Sequence, residues 1–472
     1  MARVAVAVSA TAWAAAAAAG VASAPSVSAG GAAAASAAPP PAAAPVQPQT
    51  FMLDNGLTVI VQVDRRAPTA VQMLWLRVGA MDETDAEAGV AHVLEHMMFK
   101  GTPSVPEGEF SRRMAALGGS DNAFTARDMT AYFVQLPAAQ LPEAMRLEAD
   151  RFAHNAWSDE AFRRERAVVQ EERRQRIEEE PQAQLYEQFM AVAWTAHPYR
   201  RPIIGWMGHL QALQAETVRD FYRRWYVPGN AALVVVGDVD PPQVRAWAQA
   251  TFGAVPARAL PPRQPDAEPP QRGPRRVEWR GRTQQPHMLM GWRVPRLAHP
   301  DADDEQARDA LALVLLAGVL DGHSAARLER ALVQGQGGTR LADAVAAAYG
   351  LAGRGPELFL LSATPKAGVA VEALEAALKA EIARVARDGV TEAELQRVKN
   401  QWMANEVYKL DSTFAQAREL GTHWVLGWPL DAQRRILERL QTIGAADVQR
   451  VAQRYFRDEG LTVGVLRPEA GS

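Results

Sequence analysis

The chemically most pointed feature of this chain is a pair of histidines with a glutamate between them, His92-Val93-Leu94-Glu95-His96. Residues four apart on a helix share one face, with Cβ atoms ~5–6 Å apart, so both imidazoles can grip one ion. Glu95 follows His92 by three and adjoins His96, so its carboxylate reaches a water on that ion without joining the ligands. A catalytic zinc site calls for this arrangement, because three protein ligands leave a fourth position for water. The ion acidifies the water and polarises a peptide carbonyl, while the carboxylate takes a proton and returns it to the leaving amine. With 9 His in 472 residues, chance produces such a pattern on the order of once per hundred chains of this kind.

The surrounding elements have to hold that motif. Apolar spacing predicts helices over Gly89 to Phe99 and Leu141 to Phe152, and a long charged helix from about Ser158 to Glu180 that Pro181 stops. Asp54-Asn55-Gly56 between Phe51-Met52-Leu53 and Leu57 to Val61 reads as a hairpin. Val71 to Val78 and Ala231 to Val236 read as further strands, the second buried. A Pro- and Arg-rich stretch over 256–286 reads as a linker between domains at 51–255 and 287–472.

The two halves resemble each other. Val218 to Tyr226 followed by Leu233 to Val236 matches Val448 to Phe456 followed by Val463 to Leu466, at a constant shift of 230. A shift of 233 pairs Ser158, Phe162 and Arg166 with Thr391, Leu395 and Lys399. The fold class is therefore α+β, a duplicated unit with each copy a mainly antiparallel sheet packed by helices.

Composition narrows the function. A net charge of −3 offers no general attraction for nucleic acid or an anionic membrane. The chain has no cysteine, so any zinc must be held by His, Asp or Glu. Arg3, the Ala- and Val-rich run Val4 to Ala19 and the small residues Ala22-Ser23-Ala24 read as a signal peptide over 1–24. An Ala/Pro-rich leader follows over 25–50, with order expected from Phe51. The expectation is export to the periplasm or beyond, with no stable membrane span.

The segment Gly89 to Thr102 closely resembles the inverted zinc motif of the pitrilysin-type (insulinase, M16-like) metallopeptidases. Similar stretches are Leu53 to Leu57, Gly118 to Thr125 with Thr130-Ala131-Tyr132, Glu165 to Glu172, and His197-Pro198-Tyr199 with Gly205. The resemblance implies two like halves facing each other as a clamp, one Zn²⁺ per chain, and a third ligand from a glutamate on another helix. Glu171 and Glu172 are the candidates. The family pattern has a second glutamate seven residues before the ligand, as Glu165 is before Glu172; that spacing is nearly two turns, so the two share a face. Glu172 is thus the expected ligand beside His92 and His96, with Glu165 supporting the catalytic site and Glu171 turned toward solvent. The resemblance also makes Gly118 to Phe124 a substrate-binding edge strand, with Asn122, Ala123 and Phe124 as contacts for an extended peptide.

The second half has no such motif: the 233 shift sets Asn405 opposite Glu172 and Val398 opposite Glu165. Relatives carry an Arg and a Tyr in this half to hold the substrate carbonyl. The corresponding positions here fall near Val333 and Leu341 to Asp343, where neither type occurs. The expectation is a zinc metalloendopeptidase acting on peptides or unfolded polypeptides, with Glu95 as base. It is expected to work as a dimer, with a zinc-less homologous subunit as the candidate partner that supplies the pair. The competing reading is a non-catalytic scaffold or peptide-binding subunit that has retained its metal.

Overall fold

The computed structural model describes residues 47–263 and 267–469; the expected signal peptide and most of the leader lie outside them. The first half builds a six-stranded sheet from β1 (Gln49–Met52), β2 (Thr58–Val63), β3 (Thr69–Leu76), β4 (Ser120–Thr125), β5 (Thr130–Pro137) and β6 (Ala231–Gly237). Its spatial order is β1-β2-β6-β3-β5-β4. The second half contributes β7 (Arg275–Gly281), β8 (His287–Val294), β9 (Ala342–Tyr349), β10 (Glu357–Pro365) and β11 (Leu461–Pro468), ordered β7-β11-β8-β10-β9. In each sheet one pair is parallel, β2 with β6 and β7 with β11, and the remaining pairs are antiparallel. Apart from β1, the two sheets share one topology.

Nine helices carry the argument. They are α1 (Val90–Met97), α2 (Leu141–His154), α3 (Asp159–Arg173), α4 (Pro181–Ala193) and α5 (Ala215–Trp225) in the first half. In the second they are α6 (Glu305–Asp321), α7 (Glu392–Lys409), α8 (Thr413–Leu426) and α9 (Ala445–Tyr455). The repeat extends to individual contacts. Ser158 and Thr391 each cap the helix that follows, accepting from Ala161 N and Glu394 N. Arg166 donates to the Gln211 carbonyl at 3.1 Å, and Lys399 donates to the Gln441 carbonyl at 3.0 Å. The donors are shifted by 233 and the acceptors by 230, the two offsets of the repeat, so these are the same interaction twice.

Three expectations change. The helix predicted from Ser158 to Glu180 is α3, a π-helical turn over Arg174–Glu178, and a new helix α4 with Pro181 in its first turn. Proline is tolerated there because the first N–H groups of a helix have no intrahelical acceptor. Order begins before Phe51, since β1 pairs Gln49 with Val61 and Thr50 with Ile60. Part of the predicted linker is β7, whose Val277 and Trp279 pack against the core beneath α4. Its alternating Arg and Glu residues face outward and masked the strand.

Both faces of each sheet are covered, and each half lends a helix to the other. Val59, Val61, Leu74, Leu233 and Val235 pack beneath the helices of their own half. Their alternates Ile60, Met73, Trp75 and Val234 meet Ala417, Leu420 and Val425, from α8 of the second half. Conversely, Leu185, Phe189 and Met190 of α4 cover Leu289, Leu358, Leu360 and Leu466. This double burial explains why β3 and β6 read as continuous apolar runs.

The exchange depends on close approach at glycine. A Cβ on Gly421 would lie 2.0 Å from the Trp75 ring, and one on Gly291 would lie 2.7 Å from Phe189. No helix among the described residues is long and apolar enough to cross a membrane. Gly421→Val should therefore destabilise the chain by about 3 kcal/mol, read as a lower urea midpoint. A midpoint equal to the parent's would show that α8 does not seat on Trp75.

Candidate metal centre

All eight residues of α1 are buried, so its backbone ends need partners other than water. At the N-terminus the Glu83 carboxylate accepts from Gly89 N at 3.0 Å and Ala91 N at 2.9 Å. At the other end Asn155 Nδ2 donates to the Met98 carbonyl at 3.0 Å. The helix enters through Gly89, at φ 99°, where a Cβ would fall 2.8 Å from the Ile204 carbonyl. A side chain there would be strained and would clash with that backbone.

So fixed, α1 presents His92, Glu95 and His96, respectively 4%, 1% and 7% exposed. The ring centroids of the histidines are 4.8 Å apart. From α3, Glu172 sets Oε2 3.8 Å from His92 Nε2 and 3.4 Å from His96 Nε2. Ligand atoms of His92, His96 and Glu172 all lie within 4.8 Å of one another, the one such metal-capable group among the described residues. His96 Nε2 is buried and has no hydrogen-bond partner there. A buried, unsatisfied imidazole nitrogen aimed at a carboxylate is what a divalent ion would complete, and a His₂Glu donor set suits zinc.

The remaining groups hold this cluster from outside it. Glu165 bonds His96 Nδ1 at 2.8 Å, on the side of the ring away from Glu172, and is itself paired with Lys100 at 2.5 Å. Arg176, in the π-helical turn, takes Glu172 Oε1 at 2.8 Å and leaves Oε2 to the histidines. Glu95 stands outside the ligand set, and Thr125 Oγ1 donates to its Oε2 at 2.5 Å. Glu171 is exposed and paired with Arg174, as its position on the helix predicts.

Burial and charge set the protonation states. Burial raises the Glu95 carboxyl to about 7, against opposing pulls from the His96 charge and the Thr125 hydrogen bond. Burial also lowers His92 to about 3, with repulsion from His96 adding to it. His96 rises to about 9: burial opposes the charge, but the Glu165 hydrogen bond and the nearby Glu172 carboxylate outweigh it. For Glu172 burial pushes upward, yet the proximity of His96 and neighbouring positive charges bring it down to about 2.

The expected peptide-contact residues lie on β4, which ends the sheet and pairs only with β5. Ala123 and Thr125 face the side of Glu95. Phe124 turns to the opposite side, edge-on to Trp75 at 5.6 Å and beneath Arg418 of α8, and Asn122 alternates with Ala123 in the same way. The Phe124 ring therefore does not reach the metal face, contrary to what its place in the motif suggests. Asn122 Oδ1 accepts from Ala123 N at 2.8 Å.

Several site-forming residues were not singled out from sequence. Arg176 is four residues past Glu172 and Lys100 four past His96, so helical spacing signals both. Thr125 ends the family-like stretch Gly118 to Thr125 without a role assigned to it, while Glu83 and Asn155 come from other segments where nothing local marks them. Across the repeat, Val398 is buried and Asn405 exposed, and among the described residues the second half gathers no comparable cluster.

Two like halves, with a buried His-His-Glu group and a detached carboxylate in the first alone, define a class of chain with one metal-capable domain and one without. Sequence comparison agrees. The family model "Insulinase (Peptidase family M16)" matches residues 58–206, and "Peptidase M16 inactive domain" matches 212–402. The chain belongs to peptidase family M16. It is 29% identical to the zinc protease PqqE of Helicobacter pylori, across 89% of this chain and 93% of that protein. An uncharacterized zinc protease of Mycobacterium bovis is 32% identical over 54% of this chain and 58% of its own length. Among solved structures, a protease from Helicobacter pylori superposes with a TM-score of 0.83 at 27% identity, covering 89% of this chain and 99% of that one. The periplasmic protease PqqL of Escherichia coli shares the fold, at a TM-score of 0.74 and 21% identity, with this chain covering 47% of its length.

Ligating nitrogens must be deprotonated, so metal uptake and proton release are coupled. At about pH 8 Glu95 is mostly ionised while His96, at about 9, still holds its proton. Zinc uptake by the metal-free chain should then release about one proton more at about pH 8 than at about pH 10, where His96 is already neutral. Calorimetry in buffers of different ionisation enthalpy reads this directly, and a release that is flat with pH would contradict it.

Proposed function

We propose that the chain is a zinc-dependent metalloendopeptidase that cuts peptides or unfolded polypeptides, with His92, His96 and Glu172 holding the ion and Glu95 acting as general base. One observation carries the reading: three ligand atoms from two helices converge while a fourth, buried carboxylate stands beside them and outside the ligand set. A purely structural site needs ligands but no base. When bound, the ion supplies Lewis acidity toward a peptide carbonyl and toward water.

The chain's own residues supply the rest. Glu165 accepts the His96 Nδ1 proton, which fixes the tautomer and leaves Nε2 facing the cluster. Arg176 orients Glu172 in the same sense. Glu95, held by Thr125 and raised to about 7, can take a proton from the attacking water near neutrality and return it to the leaving amine. The free edge of β4 receives the peptide by backbone pairing, which tolerates many side chains. The zinc-protease names of the relatives favour the same reading. Glu95→Gln should keep about one zinc per chain and lose about 10²–10⁴ in kcat; parental cleavage by that variant would end the assignment.

We also propose that the working unit is a dimer. In the second half the positions that correspond to the family's carbonyl-holding Arg and Tyr fall near Val333 and Leu341 to Asp343, where neither type stands. A partner's second half would supply a donor for the developing oxyanion, typically worth about 10²–10³ in rate. This chain matches about half of PqqL, which is consistent with two such units acting together. The signal-like N-terminus supports export to the periplasm or outside the cell as part of this reading. Sedimentation of the purified chain alongside its assay checks the assembly. Full activity in a monomeric peak would refute it, whereas activity in a homodimer would remove the need for a zinc-less subunit.

A further inference from the structure

A cavity of about 120 Å³ opens beside the metal cluster, with His92, Thr125 and Glu172 in its wall. Four arginines also line it, Arg127, Arg176, Arg200 and Arg201. Three of them are ion-paired: Arg176 with Glu172, and Arg200 and Arg201 with the shared carboxylate of Asp85. The remaining acidic wall residue, Glu187, is engaged by Arg173 at 2.7 Å. Arg127 is different. No carboxylate among the described residues lies within ion-pairing distance of it, and its one hydrogen bond goes to the Tyr186 hydroxyl at 2.8 Å. Glu357 acts on it electrostatically from an adjoining cavity of about 100 Å³ that Arg127 and Tyr186 also line.

A guanidinium has five N–H donors in a planar fork matched to a carboxylate. Here one donor is used inside the protein. The group is also held in place, between Tyr186 and the Tyr199 ring 5.3 Å away, and Asp128 anchors the Tyr199 hydroxyl at 2.6 Å. Arg127 lies two residues beyond Thr125, which holds Glu95, so a ligand on it sits close to the reacting centre. Ile177, Ala183 and Met190 supply apolar wall for an aliphatic stem.

Resting on the peptidase reading, we propose that Arg127 makes this cavity a carboxylate-binding subsite. It selects peptides that present an acidic side chain or a free C-terminal carboxylate beside the bond to be cut. A fixed, partly desolvated cation with free donors gains most from a charged, planar acceptor, and apolar walls disfavour a hydrated alternative.

Quenched-fluorescence peptides of one frame, with Asp, Glu, Asn or Gln on either side of the scissile bond and a free or amidated C-terminus, test this. Binding is measured on zinc-loaded Glu95→Gln chain with and without Arg127→Met, and cleavage on chain with Glu95 intact. Carboxylate peptides should bind about tenfold tighter than their neutral isosteres. Arg127→Met should abolish that preference while neutral peptides stay within about twofold. Tyr186→Phe, which removes only the hydroxyl that orients the guanidinium, should reduce the preference about threefold and serves if Arg127→Met fails to fold. The free and amidated series tell a C-terminal carboxylate from a side chain. Equal binding of acidic and neutral peptides, a preference that survives Arg127→Met, or an equal loss of cleavage for both classes would overturn the subsite. A persistent binding preference without any cleavage by the Glu95-containing chain would instead overturn the peptidase reading.

Discussion

Two imidazoles and two carboxylates buried within a few ångströms are tolerable only if each charge is answered by a group that is not itself a metal ligand. Isolated buried charges cost several kcal/mol even after relaxation. In this chain the compensation is local: Lys100 answers Glu165, Glu165 answers His96, Arg176 answers Glu172, and the Thr125 hydroxyl gives Glu95 a hydrogen bond. These partners also decide direction. Because Glu165 occupies one nitrogen of His96 and Arg176 one oxygen of Glu172, the remaining nitrogen and oxygen are turned toward each other. Compensation and aim are thus the same set of contacts.

Those contacts work only if α1 and α3 keep their separation, and the sheet exchange secures it. The chain leaves α3 through a π-helical turn, which puts Arg176 back on Glu172 and redirects the backbone into α4 on the other sheet. Arg173, in the last turn of α3, ties that junction by gripping Glu187 of α4 and the Gly205 carbonyl. Gly205 in turn lies against Gly89, where α1 begins. A path of packed backbone and buried ion pair therefore runs from the interface between the halves to both ends of the metal cluster.

How much of this was legible in the sequence follows from the range of each interaction. His92, Glu95 and His96 stand within one helical turn, and Glu165 and Glu172 lie on one helix face, so spacing alone marks their geometry. The repeat was legible because an ungapped shift survives in Ser158 and Thr391, which still cap their helices. Glu83 and Asn155 were invisible, since each caps α1 from a different segment and neither sits at a recognisable cap offset. The strand β7 was hidden by its composition, as alternating Arg and Glu read as linker when only Val277 and Trp279 face inward. The orientation of Phe124 was lost for another reason: a motif gives residue order, but strand alternation decides the face.

Arg166 and Lys399 anchor equivalent helices to equivalent carbonyls, and both sheets keep the same strand order, so the scaffold was retained in both copies. The charges were not. Where α3 carries Glu165, α7 carries Val398, packed where a Cβ on Gly318 of α6 would come within 2.4 Å of it. That approach leaves no room for a carboxylate and its counter-charge, whereas an apolar contact needs neither. The second half therefore exchanges a compensated ionic cluster for plain packing between α6 and α7. Burial of apolar surface is favourable without a partner set, so a copy freed from holding an ion can drop the whole network at once, and half of one would be worse than none.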